Sequence, residues 1–201
     1  MIKRIFDIVI AMVGIVILNP ILLWIAWRIR REDSGPVFYR GERVGFHGKP
    51  FRIFKFRTMV VDAEKLGASS TSDDDARITR IGTFLRKYKL DELPQLFNVL
   101  IGEMSIVGPR PQVKWAIGLF NDEEKQIITV RPGITDTASI LFSNEGDILK
   151  GSNDPDKDYM EQIHPWKTFL NLEYVRTRSF IGDIKIIFQT IAVIFKKRRR
   201  K

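Results

Sequence analysis

IFDIVIAMVGIVILNPILLWIAW, residues 5–27, lies between Arg4 and Arg28 and carries one charge, Asp7. From Ile8 to Trp27 it gives 20 residues, about 30 Å as a helix, which matches the hydrocarbon thickness of a bilayer. A cleavable leader fits poorly, because the stretch is long and runs into Trp27-Arg28 without a small-x-small cleavage site. An ordinary single span is the plainer alternative, and Asn19-Pro20 in its middle argues against it. Proline removes an amide donor, clashes with the preceding turn and steers Asn19 away from helical dihedrals. A break there predicts two arms, residues 5–18 and 20–31, each too short to cross at about 1.5 Å per residue. Lys3 and Arg4 flank one end and Arg28, Arg30 and Arg31 the other, so both ends read as cytoplasmic. The expectation is a re-entrant helix-break-helix over residues 1–34, broken at Asn19 and Pro20, with the bulk of the chain on the cytoplasmic side.

The remainder is composed to fold in water. The chain has 201 residues, 44% hydrophobic and 28% charged, enough for one domain plus an anchor and unlike either a disordered chain or a polytopic bundle. Of its net charge of +9, the closing run Lys196 to Lys201 supplies six, so the basicity is local and suits an anionic membrane surface or nucleic acid. With no cysteine, disulfides, thiolate nucleophiles and Cys-ligated zinc are excluded. Ahead of the tail, Phe180, Ile184, Ile187, Phe188, Ile191, Ile194 and Phe195 follow the spacing of one helical face, with Asp183, Lys185, Gln189 and Thr190 on the other. Residues 179–201 therefore predict an amphipathic interfacial helix with a basic tail, the alternative being that the apolar face packs on the core.

Between these ends, residues 35–178 read as a small cytoplasmic catalytic domain. Val37 to Arg40, a Gly-rich turn region and Phe51 to Met59 predict a β-hairpin. Alternation puts Phe54 and Phe56 on one strand face and Lys55 and Arg57 on the other, where two cations could hold a diphosphate or merely guard an edge. Residues 60–77 read as a polar surface loop. Its Asp73-Asp74-Asp75 is the kind of cluster with which a metal-dependent glycosyltransferase holds a diphosphate, but it lacks the flanking hydrophobic strand, and a solvated acidic loop is the better reading. His47 and His164 stand alone without ligand spacing.

ITRIGTFLRKYKLDELPQLFNVLIGEMSIVGPRP, residues 78–111, carries the chemistry. A helix through Phe84, Leu85 and Tyr88 precedes Asp91-Glu92, and Pro94 starts another through Leu100. Acids at a helix start complement its dipole, yet the same place attracts a phosphate or a Mg²⁺-phosphate, and Arg86, Lys87, Lys89 and Arg110 are near in sequence. Pro109 and Pro111 pin Arg110, and Arg131-Pro132-Gly133 repeats the arrangement; a rigid guanidinium fork matches phosphate oxygens.

These residues resemble the small monotopic phosphoglycosyl transferases, the bacterial sugar transferase family. The likeness covers nearly the whole chain: the N-terminal hydrophobic hairpin, KFRTM at 55–59, LDELPQLFNVLIGEMSIVGPRP at 90–111, RPGIT at 131–135 and GDIKIIFQT at 182–190. The resemblance, with no multi-helix region ahead of the hairpin, is to the small members. It implies an α+β monotopic membrane protein at the cytoplasmic face of the bacterial inner membrane, which moves a phosphosugar from a UDP-sugar to polyprenol (undecaprenyl) phosphate and releases UMP. It implies Asp91 as nucleophile, forming a covalent phosphosugar intermediate, and Mg²⁺ as cofactor near Asp91. Glu92 is implied as a partner in metal binding or proton handling; Lys55, Arg57, Arg86, Arg110 and Arg131 are the phosphate contacts expected. The chain departs from the family at Asn19-Pro20, where Ser-Pro is common, and at Asp136-Thr137-Ala138-Ser139-Ile140, where many members have Gly and a Gln-Val pair. The acidic segment Ser143 to His164 is expected to cover the sugar and set its identity. Two rivals are a metal-dependent glycosyltransferase using Asp73–Asp75 and releasing UDP, and a non-catalytic membrane-anchored scaffold or nucleic-acid binder. The latter needs aromatics interleaved with its basic residues, which the tail lacks.

Overall fold

A computed structural model describes residues 1–66, 71–72 and 74–199; the side chains of Glu64 and of residues 195–199 lie outside the description. The fold mixes helices with short strands. Its apolar stretch forms one helix, α1, from Ile2 to Asp33. The most apolar 18-residue window has a mean hydropathy of 2.7, and only 17% of it is buried, so α1 is not the core helix of a water-soluble body and is suited to membrane association.

The helix is not interrupted at Asn19-Pro20, where two separate arms were expected. Proline withholds a single amide, and the surrounding turns are held by packing. Ala11 belongs to a core cluster with Leu96, Val99 and Met104; Leu22, Ile25 and Ile29 belong to a second with Phe56, Ile81 and Leu85. Between these footholds Val13, Val16, Ile17 and Leu23 point outward, as do Asn19 and Pro20.

Both ends of α1 are fastened to the same globular body. Arg4 donates to the carbonyls of Val99 and Leu100 at 2.7 and 3.0 Å. Asp7, buried, accepts from the Ser105 hydroxyl at 2.9 Å and the Ile106 amide at 3.1 Å. At the far end Glu32 accepts from the amides of Arg80 and Ile81 at 2.8 and 3.0 Å, and Asp33 holds Arg57.

The expected hairpin is present as two short antiparallel steps. β1 (Phe38–Tyr39) pairs with β4 (Lys55–Phe56), and β2 (Glu42–Val44) with β3 (Pro50–Arg52). α2 (Arg80–Lys87) is capped by the Thr79 hydroxyl, which accepts from the Gly82 amide, and α3 is Gln95–Ile101. β5 (Ser105–Val107) and β6 (Gly133–Thr135) pair in parallel, an element the sequence reading does not anticipate. The short helices α4 (Lys114–Ile117), α5 (Thr137–Leu141), α6 (Glu145–Ile148) and α7 (Pro155–Asp158) lead to a single π turn, Tyr159–Ile163, and the longer α8, His164–Thr177.

The last helix, α9 (Phe180–Arg199), turns Asp183 and Thr190 inward and leaves Lys185 and Gln189 exposed. Asp183 accepts from Lys3 at 2.6 Å and from the Tyr174 hydroxyl at 2.8 Å, and Thr190 bonds Thr135 at 2.7 Å. Phe188 and Ile191 are thereby left 68% and 44% exposed, so most of the apolar face is not buried against the core. Phe180 meets Phe6 of α1 edge-on at 5.2 Å. Arg200 and Lys201 lie outside the described residues, as do the side chains of Phe195 and of the rest of the basic run.

Candidate active site

Local backbone geometry brings the two acids of residues 90–111 together. Lys89 adopts a left-handed conformation (φ 56°), turning the chain out of α2 into a 3₁₀ turn, Leu90–Glu92. Pro94 then caps α3, so Asp91 and Glu92 stand on the turn before that helix. Asp91 is 2% exposed. Its Oδ2 lies 2.8 Å from Lys55 Nζ, while its Oδ1 is buried without a hydrogen-bond partner. A buried oxygen of this kind is costly to leave bare, and such atoms mark places where a ligand or reacting group completes the shell.

Glu92 is saturated by comparison. Arg110 grips both its oxygens, with Nη1 to Oε2 at 3.2 Å, and Lys55 Nζ lies 3.4 Å from Oε1. Burial pushes the Glu92 carboxyl up, but Arg110, then Lys55 and Lys89, outweigh it and hold the group well below the usual carboxylate range. Glu92 in turn raises the pKa of the Arg110 guanidinium.

Each cation has its own support. Lys55 rides on β4, whose approach is fixed by Asn98, fully buried in α3. Asn98 Oδ1 accepts from the Phe54 amide at 2.8 Å; its Nδ2 donates to the Arg52 carbonyl at 3.0 Å and to Glu103 at 2.7 Å. Asn98 was missed from sequence; the available signal was a lone amide inside the apolar run Leu96-Phe97-Asn98-Val99-Leu100. Arg110 follows β5, where Gly108 and Gly133 cross so closely that a Cβ on Gly133 would sit 2.1 Å from the Gly108 nitrogen. The crossing is bonded from Gly108 N to Thr135 O at 3.0 Å and from Gly133 N to Pro109 O at 2.9 Å. The Arg110 amide donates to Asp136 at 3.1 Å, and Asp136 also caps α5.

The other expected phosphate contacts do not join this cluster. Arg57 is buried but committed to both oxygens of Asp33, with its Nε on the Pro36 carbonyl at 2.6 Å. That corrects the shared cationic face expected for Lys55 and Arg57: Asp33, at the end of α1, captures the second cation. Arg131 is exposed, donates from Nε to the Gly102 carbonyl at 3.0 Å and lies over the Phe46 ring, because the Gly108–Gly133 crossing aligns the two loops by backbone and turns this side chain away. Arg86, half-buried in the last turn of α2, makes no ion pair among the described residues.

For a divalent cation, no group of three or more His, Cys, Asp or Glu side chains occurs among the described residues. Asp91 Oδ1 offers one hard oxygen, which fits Mg²⁺ in the mode where substrate phosphates and water complete the shell. In the acidic loop, Asp75 is paired with Arg77 at 2.6 Å; the Ser72 hydroxyl, above all, holds the Asp74 carboxyl below its ordinary pKa; Asp73 lies outside the described residues.

Residues 1–197 match the family described as bacterial sugar transferase. The chain is 34% identical, over 97% of its length, to the undecaprenyl-phosphate galactose phosphotransferase of Salmonella typhimurium. It is 38% identical, over 95%, to the UDP-glucose:undecaprenyl-phosphate glucose-1-phosphate transferase of Escherichia coli. It spans 40% and 39% of those two proteins. The exopolysaccharide production protein ExoY of Sinorhizobium fredii is 32% identical over 96% of this chain and 84% of its own length.

Proposed function

The chain belongs to the bacterial sugar transferase family, and from that membership we propose that it transfers a phosphosugar from a UDP-sugar to undecaprenyl phosphate, releasing UMP. The observation that carries the proposal is Asp91: a buried carboxylate held by Lys55 through one oxygen and bare at the other. Oδ1 attacks the sugar-bearing phosphorus, the bond to the UMP oxygen breaks, and an aspartyl-phosphosugar forms. An oxygen of the lipid phosphate then attacks the same phosphorus and returns Asp91 as carboxylate. Lys55 aims the nucleophile and offsets charge on the phosphoryl oxygens. Glu92 acts as a positioning residue, holding Arg110 and Lys55 beside the reacting group. Lys89, an electrostatic neighbour of Glu92, Arg110, Asp91 and Lys55, is the further cation beside the reacting group. The Asp91 carboxylate would hold Mg²⁺, which when bound would supply positive charge beside the reacting phosphorus.

A lipid substrate needs this site at headgroup depth. A spanning helix leaves its ends on opposite sides of a bilayer, whereas α1 fastens Arg4 and Asp7 at one end and Glu32 and Asp33 at the other to one body. That supports a re-entrant anchor over residues 1–34, dipping into one leaflet with Val16, Ile17 and Leu23 in lipid. The exposed apolar residues of α9, beside α1 at Phe6–Phe180, support an interfacial role for residues 179–201. The arginine flank supports a position of residues 35–178 at the cytoplasmic face of the inner membrane.

The test is release of nucleotide by detergent-solubilised protein given Mg²⁺, undecaprenyl phosphate and a panel of UDP-sugars. UMP is expected from the native chain and none from Asp91→Asn. UDP in its place would mean sugar transfer without the phosphate and would overturn the proposal.

A further inference from the structure

Beyond the dyad, the first half of α8 is built inside out. Trp166 and Phe169 are 60% and 57% exposed, while Lys167 and Asn171 are 6% and 3% exposed. His164, Lys167 and Asn171 recur at i, i+3 and i+7 and so share one face. Two of the buried polar atoms left without a partner lie on that face, His164 Nε2 and Asn171 Oδ1. Lys167 is paired with Glu145 of α6 and lies 5.2 Å from the centre of the Tyr159 ring. Tyr159 opens the π turn, a distortion frequent at functional sites, and stands edge-on to His164 at 6.1 Å. Its half-buried hydroxyl makes no hydrogen bond among the described residues. Burial, then Glu145, raises the Tyr159 pKa, while Arg110 lowers it, and Glu145 also acts on Arg110. The cluster and the dyad's arginine are therefore electrostatic neighbours.

A buried ammonium, a carboxylate, a phenol and unpaired imidazole and amide atoms form a surplus of hydrogen-bonding capacity that a packed core does not leave open. Its charges cancel, since Glu145 neutralises Lys167, so the site does not suit a phosphate. Glu145 and Asp136 would repel a carboxylated sugar. What fits is a neutral ring bearing several hydroxyl groups, with the Tyr159 ring available to its apolar face. We propose that Glu145, Tyr159 and Lys167, backed by His164 and Asn171, form the subsite that reads the hydroxyl groups of the donor's sugar. This rests on the phosphosugar-transfer reading above and gives its sugar end a location and a chemical class: neutral hexoses or N-acetylhexosamines, not uronic acids.

The experiment measures kcat and KM for UMP release across neutral and uronic UDP-sugars for the native chain, Tyr159→Phe and the charge-balanced double variant Glu145→Gln/Lys167→Met. Melting temperatures are taken alongside, and the double variant avoids stranding one buried charge. A site that hydrogen-bonds a substrate hydroxyl loses discrimination when its partner goes, so KM for the preferred donor should rise about tenfold or more, with the ranking of donors altered. UMP release from some donor should persist in both variants. Folded variants with native KM and ranking would overturn the subsite while leaving the transfer reaction standing. If the native chain releases no UMP from any donor, the underlying reading falls, and the subsite with it. Uronic donors preferred by the native chain would overturn the assigned sugar class alone.

Discussion

β4 and the residue that follows it carry two cations to two very different fates. Lys55 reaches Asp91 and Glu92, which also hold Arg110; Arg57, two residues on, reaches Asp33. The second set is closed: both Asp33 oxygens are taken, and the remaining Arg57 nitrogen is on a carbonyl. The first set is open, since Asp91 keeps one oxygen bare in a buried place. Both look alike as charge pairs, and what separates the fastening from the proposed reaction centre is the missing partner.

The comparison is broken most directly at Asp91. Asp91→Asn keeps shape and removes the proposed nucleophile, so UMP release should fall by at least about a thousandfold with the melting temperature little changed. A residual rate within tenfold of native would make Asp91 a second fastening. Glu92→Gln should be milder, about a hundredfold in kcat, because it loosens Arg110 and Lys55 without removing the attacking group. Asp33→Asn should do the reverse. It strands a buried Arg57 beside a partly exposed partner, costing about 1 to 3 kcal/mol in denaturant unfolding, while kcat per folded molecule stays native. Loss of kcat at native stability would move Arg57 into the site after all.

The smallest expected effect is with pH. Asp33 is held low by its hydrogen bond to Arg57, and Glu92 is held low, against its burial, by Arg110. The stability each contributes is complete above the ordinary values of 3.8 and 4.5 and is lost as pH falls through the lower folded values. The melting temperature should therefore drop below about pH 5, less so in Asp33→Asn and Glu92→Gln. A step near neutrality that these variants abolish would contradict the assignment of both groups as ionised.

Much of this was legible from local chemistry. Asp91-Glu92 before a proline, the pinned Arg110 and the hairpin carrying Lys55 are signals a few residues long, and the fold places them together. What escaped depends on partners distant in sequence. Nothing near Arg57 announces Asp33, 24 positions earlier. Asp7 looked like an isolated charge in an apolar stretch, and its purpose appears only when β5 brings the Ser105 hydroxyl and the Ile106 amide to it. Asn19-Pro20 misled in the other direction: the local cost of proline is real, but packing of Ala11 on one side and Leu22, Ile25 and Ile29 on the other keeps α1 in one piece. On α9 the orientation depends on Lys3 and Tyr174, which bind Asp183 and draw it inward while Lys185 and Gln189 stay exposed.

The double fastening of α1 bears on how the protein can be handled. Trimming a membrane anchor is the usual route to a soluble fragment, and it presumes that the anchor is a tether. Here residues 1–33 supply Ala11, Leu22, Ile25 and Ile29 to the two largest apolar clusters, the carboxylate that seats β5, and the acceptor for the first two amides of α2. Cutting them away would remove a wall of the protein, and the fragment left behind would be without three of the six buried residues of its second cluster.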